Sequence, residues 1–355
     1  MEERIPESAE AVSLLPEYKK TAYKVGVFAA VIVFLRVPAS LSLSLLYLLG
    51  GERLSPDALY LLHLTISFLF LQFLPAVIGA GMFGFFGERK KELRALYRVP
   101  KKCARAVGNF PAVYGLGQLL NLLTIVVTYF ATKDSDLTES MNPITQMLAP
   151  NMGTAWAFFI FAAIIAPIFE EFVFRGVLLR TLKPYGNGLA IFFTGIFFGV
   201  FHGNLSQCFY AAAIGIALGY IADVTDSLIP TTVIHILVNS VSSGIALLMT
   251  TPSIQDYLLS GAAEGEIPDG DMLMIVVFAV YTISALLLGL AGIVHLFIKL
   301  KQIRRYRVPK VWDEVGNGKK VKMLLLTVPM AIAVLLMIDT YTGTLENLLN
   351  TLIFS

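Results

Sequence analysis

Cysteine, histidine and charge are all scarce in this chain. Its 355 residues include two cysteines and four histidines, and only 15% are Asp, Glu, Lys or Arg. Cys103 lies in a basic loop and Cys208 in an apolar segment. They match no thiolate metal-site spacing and no Cys-x-x-Cys redox motif, which argues against a disulfide framework. A net charge of +2 is too small to suggest a nucleic-acid partner. The short alternating segments of a membrane β-barrel are missing. No cleavable signal peptide is expected, because the first apolar stretch follows an acidic, Pro-containing leader and is too long for an h-region.

What the chain has is apolar length. Hydrophobic residues make up 56% of it, and runs of about 20 or more recur, enough to cross the hydrocarbon core. The pattern predicts an all-α fold, a polytopic transmembrane helical bundle of about nine spans. These are expected near 24–50, 58–87, 106–132, 154–181, 188–202, 205–222, 227–249, 272–300 and 321–339. The lipid bilayer is therefore its first partner. Two basic loops set the orientation. One carries Arg89, Lys90, Lys91, Arg94, Arg98, Lys101, Lys102 and Arg105; the other carries Lys301, Arg304, Arg305, Arg307, Lys310, Lys319 and Lys320. The alternate loops are acidic, with Asp134, Asp136 and Glu139 in one and Asp256, Glu264, Glu266, Asp269 and Asp271 in the other. The positive-inside rule then places the N-terminus in the cytoplasm and, with nine spans, the C-terminus outside. A multi-pass protein of a bacterial plasma membrane is expected. Both basic loops contain the string Tyr-Arg-Val-Pro-Lys, at 97–101 and 306–310. The flanking spans show no evident match, so similar loop composition explains it better than duplication.

Against this background, three short motifs put ionisable groups inside apolar segments: Glu170-Glu171-x-x-x-Arg175, Phe198-x-x-x-His202 and His235-x-x-x-Asn239. An ionisable side chain at the centre of a membrane helix costs about 2.5–3.5 kcal/mol on insertion scales, so their presence calls for a use. Glu171 and Arg175 are four apart with the acid first, the favourable order for an ion pair on one helix face. Glu170 is rotated by about 100° from Glu171 and is left as the free carboxylate, a candidate general base. His235 and Asn239 share a face and could donate to a developing oxyanion. Phe198, one turn before His202, would hold its ring, and His202 would help Glu170 orient a water. A lone membrane histidine such as His63 or His295 is usually packed or interfacial, and a single Glu–Arg pair can simply lock two helices. The joint occurrence of all three motifs is what points to peptide hydrolysis.

The motifs resemble those of the CAAX prenyl endopeptidase and bacteriocin-processing family of intramembrane proteases, called CPBP or Abi proteins. That family is marked by Glu-Glu-x-x-x-Arg, Phe-x-x-x-His and His-x-x-x-Asn or Asp on four core helices. The resemblance implies a four-helix catalytic core at 154–249. It is preceded by a leader at 1–23 and membrane helices at 24–153, and followed by helices and a tail at 250–355. It further implies Glu170 as the activator of water, His202 assisting, and His235 with Asn239 at the oxyanion. Glu171, Arg175 and Phe198 would support them. The substrate would be a membrane-associated peptide or protein, in CAAX-type processing, peptide or bacteriocin maturation, or immunity. Family members are commonly labelled metalloproteases. Glu170, His202 and His235 are the candidate ligands for a divalent metal such as zinc, although His-Glu-x-x-His is absent and the sequence demands no cofactor. Intramembrane Glu, Arg and His also serve ion-coupled transporters, and a non-catalytic scaffold or immunity protein could keep the same residues for packing. The 132–153 segment reads as a connector or an entrance cover, and 344–355 as an interfacial tail.

Overall fold

The computed structural model describes residues 9–50, 53–132, 151–252, 254, 269–300 and 315–342. Among them every regular element is helical and none is a strand. A backbone that must satisfy its own hydrogen bonds in lipid has few other options. Among the described residues seven helices are long and apolar enough to cross a bilayer. They are α1 (Ala9–Gly50), α2 (Pro56–Met82), α3 (Cys103–Val127), α4 (Met152–Tyr185) and, after the short α5 (Asn187–Phe201), α6 (Gln207–Thr225), α7 (Ile229–Met249) and α8 (Met272–Lys299). An eighth, α9, is gained if Asn317–Leu325 and Val328–Ile338, bent by 72° to each other, count as one span. The fifteen residues of α5 reach only about 22 Å, short of the ~30 Å hydrocarbon core. All nine expected segments are thus helical, but seven or eight qualify as spans. The acidic loop residues Asp134, Asp136, Glu139, Asp256, Glu264 and Glu266, the basic string at 301–310, the 133–150 connector and the 344–355 tail lie outside the described residues.

The N-terminus differs from expectation. Helix α1 is already helical at Ala9, the first described residue, well before Lys24, and runs through Pro16, with a break at Leu35 between Phe34 and Arg36. Burial explains the early start. Ala11 and Tyr18 pack with Tyr185 and Val315, the Tyr18 and Tyr185 rings lie 4.7 Å apart, and Tyr18 Oη donates to Lys320 O at 2.9 Å.

Helix α4 is the axis of the bundle. Its Val173, Phe174, Val177, Leu178 and Leu182 join Phe28 of α1, Ala76 and Ala80 of α2, and Phe197, Phe198 and Phe201 of α5 in the largest buried cluster. Apolar side chains also cover the outside: on α8, Leu286, Leu290, Val294 and Phe297 are exposed along one face, the surface a lipid-embedded helix offers to acyl chains. Helices α5 and α6 form a hairpin whose backbones nearly touch. A Cβ placed on Gly199 would come within 2.3 Å of Cys208 O and 2.7 Å of Ala212 N, so only glycine permits this approach, as at other close membrane-helix contacts. Gly199→Val should therefore separate the hairpin and cost at least ~1–3 kcal/mol of stability. A clear drop in thermal unfolding temperature in detergent is the expected result; an unchanged melt would refute the close contact.

Candidate active site

The site begins with irregularities in α4 and α2. Within α4, Phe161–Ile165 and Phe172–Leu178 are π turns, and α2 has another at Leu69–Phe73. Such turns often mark functional sites, and in two of the three a proline supplies the cause. Pro167 lacks an N–H and its ring crowds the preceding turn, so the Ala166 N–H reaches back to Phe161 O. Pro167, the next residue in that pattern, cannot serve the carbonyl of Ala162. That oxygen instead accepts from Asn239 Nδ2 at 3.0 Å, as the requirement that buried carbonyls be paired demands. In α2 the Leu74 N–H likewise reaches Leu69 O just before Pro75, and this widened turn carries Gln72.

The charged centre lies one turn further along α4. Glu171 and Arg175 are both fully buried, and Arg175 Nη1 donates to Glu171 Oε1 at 2.8 Å. Arg175 Nη2 donates to Gly215 O of α6 at 3.1 Å, and the guanidinium lies over the Phe198 ring at 4.5 Å from its centroid. His235 of α7 adds its Nδ1 to the same Glu171 oxygen at 3.0 Å. A carboxylate only accepts, so this contact places a proton on Nδ1. His235 Nε2 faces Glu170 Oε2 at 3.6 Å, too long for a direct hydrogen bond but a separation that one water can bridge. The other oxygen of Glu170, Oε1, accepts from Gln72 Nε2 at 3.0 Å. Both Glu170 and Gln72 are buried.

His202 joins through Phe198. Its Nδ1 donates to Phe198 O at 2.7 Å, and the Phe198 ring meets the His202 ring at 4.7 Å and the His235 ring at 5.5 Å, both nearly perpendicular. Full spans would put His202 at a membrane face, away from Glu170 and His235. The fold instead ends α5 at Phe201 in a half-buried turn, with Gly203 at φ +70°. Asn204 Oδ1 caps the next helix, accepting from Gln207 N at 2.8 Å. The exposed carbonyls of the turn are covered by Arg36 of α1, which donates to Phe201 O and, at 3.1 Å, to His202 O. Irregular backbone at this depth needs such protein cover.

The structure thus brings Glu170, Glu171, Arg175 and His235 into one connected group, joins His202 to it across Phe198, and turns one amide hydrogen of Asn239 to Ala162. Two residues escaped the sequence reading. Gln72 and Arg36 were visible as polar interruptions of apolar runs, but only tertiary packing shows that they reach this site. Among the described residues no three His, Cys, Asp or Glu side chains gather as metal ligands, so Glu170, His202 and His235 are not arranged as a ready three-ligand site.

With this geometry in view, comparison with known families is informative. Residues 152–241 match a family model described as type II CAAX prenyl endopeptidase Rce1-like. This segment belongs to the CPBP/CAAX protease family. The match spans about a quarter of the chain and includes all three motifs, while Arg36 and Gln72 fall outside it. No curated protein and no solved structure matched. Together, the segment similar to CAAX proteases and the long apolar helices support an integral membrane protein.

Breaking a buried ion pair leaves one charge uncompensated and costs about 3–5 kcal/mol. Arg175→Ala and Glu171→Ala should each lower the unfolding temperature sharply. Glu170→Gln keeps an acceptor for Gln72 and should melt near the wild type. A thermal-unfolding series in one detergent checks this; an Arg175→Ala protein as stable as the wild type would contradict the pairing.

Proposed function

We propose that the protein is an intramembrane endopeptidase that hydrolyses a peptide bond of a membrane-associated peptide or protein, with Glu170 as the group that activates water. The observation that carries this reading is the asymmetry of the two glutamates. Glu171 is committed to Arg175 and His235, whereas Glu170 keeps one oxygen facing His235 across a gap a single water can span. A water held there would give a proton to Glu170 as its oxygen bonds to the scissile carbonyl carbon. The carbonyl π electrons move to oxygen, forming a tetrahedral oxyanion. The second N–H of Asn239 Nδ2 is available to that oxygen, with His202 beside the reacting group. Collapse of the intermediate breaks the C–N bond, and Glu170 returns the proton to the leaving amine. In this scheme His235 stays oriented by Glu171, and Gln72 steadies the Glu170 carboxylate. No step is routed through a metal.

The description of the matched family, a CAAX prenyl endopeptidase, makes a lipid-anchored C-terminal peptide the first substrate class to test, with maturation of a membrane-bound peptide as the alternative within the same chemistry. The basic 89–105 segment supports a cytoplasmic N-terminus.

Membranes holding equal amounts of wild type and Glu170→Gln are to be compared for newly formed peptide termini. Termini unique to the wild type are expected. Identical sets, with both proteins folded and candidate substrates present, would overturn the protease reading. With a cleaved substrate in hand, Gln72→Met removes a hydrogen bond to a charged acceptor worth about 1.5–3 kcal/mol. It should lower kcat about tenfold or more while leaving KM near the wild-type value; an unchanged kcat would remove Gln72 from the scheme.

A further inference from the structure

Away from the catalytic group, helices α3, α5, α6 and α8 enclose a cavity of about 770 Å³, within the ~300–1,000 Å³ range typical of ligand sites. Its walls are apolar, built from Val113 and Leu116 of α3, Phe192 of α5, Ile216 of α6 and Leu296 of α8. Its mouth is cationic. Lys101 and Lys102 line it from the segment leading into α3, Arg105 from the first turn of α3, and Lys299 from the last turn of α8. No Asp or Glu lines it. Among the described residues, the ion pairs involve none of these four cations. All four line the groove together with the second turn of α5 (Ile191, Phe192) and the last turn of α6 (Val224, Thr225).

We propose that this groove is a binding site for an anionic phospholipid, its acyl chain lying along the apolar walls and its phosphate held by Lys101, Lys102, Arg105 and Lys299. Charge and polarity together select this occupant. A free anion would satisfy the cations but leave the walls empty, and a neutral lipid would fill the walls but leave four cations without a counter-charge. Basic pockets between membrane helices at the positively charged face recognise anionic headgroups for this reason. The site is independent of the proteolytic reading. It shares helices α5 and α6 with the catalytic group, so occupancy would also brace the hairpin that carries Phe198 and His202 and supplies the Gly215 carbonyl to Arg175.

The test uses the full-length protein, stripped of lipid in neutral detergent and titrated with phosphatidylglycerol or phosphatidylcholine under native mass spectrometry. Phosphatidylglycerol should bind in preference, and its binding should weaken as salt rises. The combined Lys101→Gln, Lys102→Gln, Arg105→Gln and Lys299→Gln variant should lose at least about tenfold in affinity. A Lys90→Gln, Lys91→Gln variant, altered outside the groove, should bind as the wild type does. Should the combined variant fail to fold, lipid preference and salt dependence in the wild type decide the matter. Equal binding of the two lipids, equal loss in both variants, or displacement of the lipid by inorganic phosphate alone would each overturn the proposal. None of these readouts requires the protein to cleave anything.

Discussion

The fully buried Glu171–Arg175 pair is the contact on which the rest of the site depends. Two charges in a membrane interior are tolerable only when each is closely paired and further hydrogen-bonded. Here the guanidinium also reaches Gly215 O and stacks over Phe198, while the carboxylate also accepts from His235. Every one of those partners lies on a different helix from the pair itself: Gly215 on α6, Phe198 on α5, His235 on α7. Neutralising one ion pair thus ties three helices to α4, and the requirement to solvate two charges with protein fixes where the histidines stand.

A second constraint comes from backbone accounting around two prolines. Pro75 and Pro167 each follow a π turn, and each withholds an N–H that a regular helix would supply. The consequences differ. In α4 the freed Ala162 carbonyl recruits Asn239 and so docks α7 against α4. In α2 the widened turn carries Gln72, whose amide reaches Glu170. Asn239 therefore has a structural duty that its motif alone does not disclose, and only its second amide hydrogen is open for chemistry.

Much of this was legible in the sequence, for physical reasons that can be stated. Apolar runs announce membrane helices because the bilayer imposes a minimum length, and four-residue spacing announces the Glu171–Arg175 pair because it brings the two side chains onto one face. The sequence could not show how α5 ends, since Phe201-His202-Gly203-Asn204 reads equally as a surface loop or a turn covered by protein. The answer depends on Arg36, about 165 residues away, covering the turn's carbonyls. Nor could it show that α1 is helical well before Lys24, because the reason lies in Tyr18 meeting Tyr185 and Lys320. Gln72 was hidden similarly: one glutamine in an apolar run signals nothing until a partner is known.

The family match ends where the interactions do not. Residues 152–241 hold the charged centre, yet one oxygen of Glu170 and the carbonyls beside His202 are satisfied from α2 and α1, outside the matched segment. Once those contacts are made, the polar atoms left for a substrate or water include Glu170 Oε2 and His235 Nε2, facing each other at 3.6 Å, Nε2 of His202, whose Nδ1 is spent on Phe198 O, and the second amide hydrogen of Asn239. The hydrogen bonds between helices thus decide which donors and acceptors at the centre stay uncommitted. Helices α1 and α2 contribute to that selection, and a core cut at the limits of the family match would leave both Glu170 and the His202 turn short of a partner.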